Sequence, residues 1–126
     1  MEKLTFDTGI RTYKVGTGVL KFNPTDPNVY ARFLETLDSL GELEKELAEA
    51  SGQEAITALS RADRQIKERL SYVFGPGNDL ESVFSGVSLL AVGANGERLI
   101  TNFLAAMEPV LSAGARACAA AEAAKL

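Results

Sequence analysis

The sequence predicts an α+β fold that is mainly α: a small N-terminal antiparallel β-hairpin or meander packed on a bundle of three long helices plus a short helix. Three observations lead there. Residues 1–22 hold short β-branched and aromatic segments broken by glycine-containing pairs, two later stretches carry apolar residues at steps of three and four, and a third such stretch follows a glycine-bounded loop. A chain of 126 residues fits one domain, 1–126, able to bury a core without disulfide or metal staples. Hydrophobic residues at 46% and charged residues at 24% set it with folded chains rather than disordered ones.

In residues 1–22, LTFD, RTYKV and GVLKF read as two or three strands separated by Thr8-Gly9 and Gly16-Thr17-Gly18. Val19 and Lys21 alternate with Leu20 and Phe22, so one face is expected on the helices and the other in water. The helical part, 23–126, opens at Asp26, an N-cap residue followed by Pro27 at the position where a missing N–H costs no helical bond. From there Tyr30, Phe33, Leu37, Leu40, Leu43 and Leu47 draw one apolar stripe, loosened locally by Gly41 and closed by Ser51-Gly52. A second stripe runs through Ile56, Leu59, Ala62, Ile66, Leu70 and Val73, with Asp63 and Lys67 expected as a pair on its wet side. Gly75 and Pro76 stop this helix, and Asp79 caps a short one over Leu80–Phe84. The last long pattern begins at Glu97 and passes Ile100, Phe103, Leu104, Met107 and Leu111, with Pro109 predicting a kink or break. The alanine-rich end from about residue 116 has helix propensity but little bulk, so it is expected to fray or to lie against something flat.

Composition closes off most chemistry. The net charge of −4 repels phosphate backbones and anionic lipid, which argues against nucleic acid and membrane partners. No apolar run approaches the roughly 18 residues that span a bilayer, and MEKLTFD lacks the basic and apolar blocks of a secretory signal, so the chain is expected to stay in the compartment where it is made. Histidine is absent, which removes the commonest general base and transition-metal ligand. Cys118 sits among alanines with nothing nearby to activate it, and the single thiol suits a reducing cytosol. Gly75-Pro76-Gly77 lacks the rest of a phosphate loop and reads as a turn between helices. Arg61, Arg64, Lys67 and Arg69, interleaved with Asp63 and Glu68, read as a solvated, salt-bridged face. Glu42, Glu44, Glu46 and Glu49 read as the wet face of the first long helix rather than a calcium loop. The expectation is no enzyme, with no catalytic, cofactor or metal residues. Tyr30, Phe33, Phe74 and Phe84 are expected in the core. Val83, Phe84, Val87, Leu89, Leu90 and Val92 form the candidate protein-contact surface, with a buried loop completing the core as the alternative.

Two stretches carry a resemblance. LKFNPTDPNVYARFLETLDSL and IKERLSYVFGPGNDLESVFSG, followed in order by NFLAAMEPVLSAGA, are similar to the tail assembly chaperones of phages and prophages of Gram-positive bacteria. Together they cover about half the chain. The resemblance implies a mainly helical protein of the host cytoplasm, left out of the mature virion. It would associate with itself and coat the tape measure protein until tail tube subunits displace it. It carries no catalytic residues over, and Phe74, Gly75, Gly77 and Phe84 transfer as structural positions only. The alanine-rich end after Arg116 lies outside the pattern. Two other classes fit the size and acidity: a small structural virion protein of the tail or head-completion kind, and a carboxylate enzyme whose Asp and Glu converge in one cleft.

Overall fold

The structure is a computed structural model and describes residues 1–124. Its elements run β1 (Arg11–Val15), β2 (Gly18–Phe22), α1 (Pro27–Glu49), α2 (Gln53–Phe74), α3 (Leu80–Val83) and α4 (Leu99–Ala124). This is the expected α+β architecture, mainly α, with the hairpin in place of the meander. The first segment, LTFD, forms no strand, and Leu4 and Phe6 are 85% and 74% exposed. It has the alternation of a strand but no neighbour to pair with.

The hairpin is antiparallel, with Val15 opposite Gly18 and Arg11 opposite Phe22 around the Gly16-Thr17 turn. Leu20 and Phe22 face inward and are buried, whereas Val19 and Lys21 meet water. Tyr13 stacks on Phe22 at 4.9 Å between ring centroids, Phe22 meets Phe74 at 4.8 Å, and Phe103 lies edge-on to both Phe74 and Phe84. This chain of rings fastens the hairpin to α2 and α4, and it supplies the partner that a two-stranded ribbon needs to be stable.

Asp26 caps α1 through Oδ1, which accepts from the Asn28 N–H at 2.9 Å. Val29 and Phe33 bury its inner stripe, while Tyr30, Leu40, Leu43 and Leu47 are half-buried and Leu37 faces water. In α2 the stripe narrows to Ala62, Ile66, Leu70, Val73 and Phe74, because Ile56 near its start is 69% exposed. Arg32 of α1 donates from Nε and Nη2 to the Val73 carbonyl, at 3.2 and 3.1 Å, and its guanidinium lies over the Tyr72 ring. The Gly75 N–H closes α2 on the Ser71 carbonyl at 2.9 Å.

Helix α4 runs through Pro109 without the expected break. Pro109 and Ala105, the residue one turn back whose carbonyl loses its partner, are both on the exposed side, where water can take over the bond. The helix continues to Ala124, so the alanine-rich end expected to fray from about residue 116 is helical through that residue; Lys125 and Leu126 lie outside the described residues.

Two glycines allow close approach of backbone to backbone. A Cβ on Gly114 of α4 would lie 1.7 Å from the Pro24 carbonyl oxygen, so that position lets α4 press against the turn between β2 and α1. A Cβ on Gly18 would lie 2.0 Å from the Val83 carbonyl oxygen, which is how α3 reaches the hairpin.

Candidate protein-binding grooves

The wall between the helices is set by a buried ionic network that the sequence places wrongly. Asp63 and Lys67 are not on the wet side of α2; they are 8% and 4% exposed. The Lys67 ammonium donates to Glu81 Oε1 of α3 at 2.7 Å and to the Val87 carbonyl at 2.9 Å, and it pairs with Asp63 Oδ2 at 3.0 Å. The other Asp63 oxygen accepts the Leu89 N–H at 2.7 Å. Burial alone would push the Lys67 ammonium below its usual value, but the hydrogen bonds and charges of Glu81 and Asp63 outweigh it and hold the group above 10.5. The remaining cations of the run, Arg61, Arg64 and Arg69, do face solvent, as do Glu42, Glu44, Glu46 and Glu49.

This network pins the loop after α3. The loop is also stitched to the start of α4: the N–H groups of Leu99 and Ile100 donate to the Ala91 and Leu89 carbonyls at 2.9 and 2.8 Å, and Arg98 Nη1 donates to the Leu90 carbonyl at 2.6 Å. Leu89 and Leu90 are therefore drawn inward to 0% and 7% exposure. Val83 is likewise buried, at 3%. These three members of the expected contact surface are core residues, and that surface is corrected to Val87 and Val92, which are exposed, and Phe84, which is half-buried. The loop supplies backbone donors and acceptors to the network, which is why Leu89 and Leu90 point inward while Val87 and Val92 stay exposed.

Two apolar grooves flank the loop. One, of about 580 Å³, lies between β1, the hairpin turn and α4, and is lined by Tyr13, Val15, Phe84, Val87, Phe103, Met107 and Val110 among others. The second, of about 480 Å³, runs between α1 and α4 over Ile66 of α2; Leu37, Leu40, Leu43, Leu47, Leu90, Ile100 and Leu104 line it, with Glu44 and Arg98 at its edge. Each has the volume of a small-ligand cleft and is equally large enough for several side chains of a partner. A further depression, over Leu40, Leu43, Ile66 and Tyr72, carries Glu42, Glu46, Glu68 and Arg69 on its walls.

Comparison of the chain with protein-family models, curated proteins and solved structures returns no match. Among the described residues no three His, Cys, Asp or Glu side chains gather where they could hold a metal ion. No described helix is long and apolar enough to cross a membrane. Asp63, Lys67 and Glu81 form an ionisable group around the buried Lys67 ammonium, and each is engaged in holding α2, α3 and the loop together. Cys118 sits half-buried on α4.

Asn78 is a second organising residue that the sequence reading passed over. Its side-chain Nδ2 donates to the Lys21 and Phe74 carbonyls at 2.8 and 3.0 Å, and its Oδ1 accepts the Lys21 N–H at 2.8 Å. The amide thus pairs with both outward peptide groups of Lys21, as a neighbouring strand would. Its place between Gly77 and the capping Asp79 marks a turn; nothing local marks the bond to a strand 57 residues earlier.

Proposed function

We propose that this protein is a tail assembly chaperone of phage or prophage type, which binds the tape measure protein in the groove between α1, α2 and α4 and keeps it soluble until tail tube subunits displace it. The reading puts the protein in the host cytoplasm and outside the finished particle. One observation carries it: a leucine-lined furrow bounded by two long helices, with Glu44 and Arg98 at its edge, fits the apolar face of an amphipathic helix. A tape measure protein is a long helical client that would expose such faces before assembly. The groove's walls are partly polar, which suits contacts that must later be given up. The sequence resemblance supports the same client independently of the groove.

The test is co-expression with the tape measure protein encoded nearby. The client alone is expected in the insoluble fraction, and the client with this chain in the soluble fraction. Leu37→Glu, at an exposed position on the groove wall, should abolish that rescue while leaving the circular dichroism spectrum unchanged. A client left insoluble by the native chain refutes the reading. Recovery of the protein from purified mature particles would instead mark it as a structural component of the virion.

A further inference from the structure

We infer that residues 4–7 act as a strand donated to a second copy of this chain, pairing with the open edge of β1 and seating Leu4 and Phe6 in the groove beside it. The contact lies apart from the α1–α2–α4 furrow and does not depend on what that furrow binds.

The acceptor side is read from the hairpin. Around a two-residue turn, Val15–Gly18 and Tyr13–Leu20 exchange the hydrogen bonds between the strands, so the peptide groups of Thr12 and Lys14 on β1, like those of Lys21 on β2, point outward. On β2, where the peptide group of Val19 points outward as well, Asn78 bonds the edge at Lys21 and α3 closes on it at Gly18, whose added Cβ would meet the Val83 backbone. On β1 the corresponding groups of Thr12 and Lys14 have no partner among the described residues. A bare strand edge is a template for another chain. Directly beside it runs the apolar groove of Tyr13, Val15, Phe84, Phe103, Met107 and Val110.

The donor side is residues 4–7. Leu4 and Phe6 are 85% and 74% exposed and stand two apart, so an extended stretch presents both on one face; it ends where Asp7 Oδ1 accepts the Gly9 N–H at 2.8 Å and Gly9 turns the chain at a φ of 75°. Apolar side chains in a strand-like alternation with nothing covering them are the complement of a sheet edge with an apolar groove below it. Charge agrees: β1 carries Arg11 and Lys14, and the segment's one charged side chain is the carboxylate of Asp7. Within one chain the segment is directed elsewhere. Asn23 Nδ2 donates to the Thr8 carbonyl at 2.9 Å, which tethers the chain just beyond the segment to the end of β2, whereas the groove opens at the opposite end of the hairpin around Gly16 and Thr17. The occupant that fits is therefore the segment of another copy.

The experiment uses the full chain in analytical ultracentrifugation from micromolar to millimolar concentration. Two variants each remove one side of the contact at exposed positions: Leu4→Asp with Phe6→Asp on the donor, and Val87→Asp at the groove rim. The native chain should sediment beyond monomer, and the donor variant should associate roughly a hundredfold more weakly, since two large apolar side chains no longer leave water. Mixing the two variants should restore a dimer, because one supplies an intact groove and the other an intact segment. A native chain that stays monomeric overturns the proposal. So does a donor variant that assembles like the native chain, or a mixture that forms no dimer, as would happen if the segment folded back onto its own β1.

Discussion

Lys67→Met removes the charge at the centre of the α2–α3–loop network while keeping most of the stem volume. Three acceptors lose their donor: Glu81 Oε1, the Val87 carbonyl and Asp63 Oδ2. Glu81 is half-exposed and can turn to water, but Asp63 keeps only the Leu89 N–H for a carboxylate whose side chain is 11% exposed. Removing one member of a buried pair costs about 3–5 kcal/mol. The relief available to Glu81 sets the expectation at the lower end, about 3 kcal/mol, a large share of the roughly 5–15 kcal/mol that holds a domain together. For 126 residues the unfolding entropy is about 0.26 kcal/mol/K, so Tm should fall by about 11 °C. Circular dichroism melting measures it, and faster hydrogen exchange at the Leu89 amide should accompany it. Adding Asp63→Asn, which removes the stranded charge and keeps an acceptor for Leu89, should restore part of the loss. The Lys67 contribution is also pH-dependent. Because the folded group is held above its usual 10.5, its stabilisation is complete below that pH and fades as pH climbs through the folded value. The native chain, and not the variant, should lose stability in that alkaline window. A Tm shift of under about 3 °C would mean the pair behaves like an exposed ion pair, and the reasoning fails.

Gly114→Ala ordinarily gains about 1 kcal/mol in a helix interior. In this helix the sign should reverse, because the added Cβ meets the Pro24 backbone and overpacking costs about 1–3 kcal/mol; the urea midpoint should drop with its slope unchanged. Asn78→Ala strips the outward peptide groups of Lys21 and the Phe74 carbonyl of their partner, at a cost of about 2–3 kcal/mol, and hydrogen exchange at the Lys21 amide should quicken. Asn78→Asp keeps the acceptor but sets a carboxylate oxygen against two carbonyl oxygens at a position 5% exposed, so at neutral pH it should cost at least as much as Asn78→Ala; equal stability of all three proteins would refute the bridging role.

Local signals were sufficient wherever the deciding contact was local. Asp26-Pro27 and Asp79 announced the starts of α1 and α3, and Leu20 and Phe22 announced the inner face of the hairpin. The sequence misled where a distant partner decided. Asp63 and Lys67 have the spacing of a surface pair, and only Glu81 and the Val87 carbonyl, 14 and 20 residues from Lys67, make their burial tolerable. Leu89 and Leu90 looked like an exposed patch because a loop's apolar residues carry no direction until its backbone is tied down. LTFD shows the converse case: strand character is legible in one chain, but a strand exists only when a partner does. Of the grooves, the leucine row of α1 was visible, while the second wall, from α4, came from a helix whose proline promised a break.

The Asn78 amide has a consequence for how the hairpin can grow. A ribbon with two bare margins could be extended from both sides and would recruit copies without limit, the route by which sheets turn into fibrils. With a side chain filling one margin, the ribbon has a valence of one. It can take a single guest strand, after which the host offers nothing further on its other flank. Losing that amide would therefore do more than loosen a turn: it would open a second acceptor margin, so that an association of one strand given and one strand taken per copy could branch.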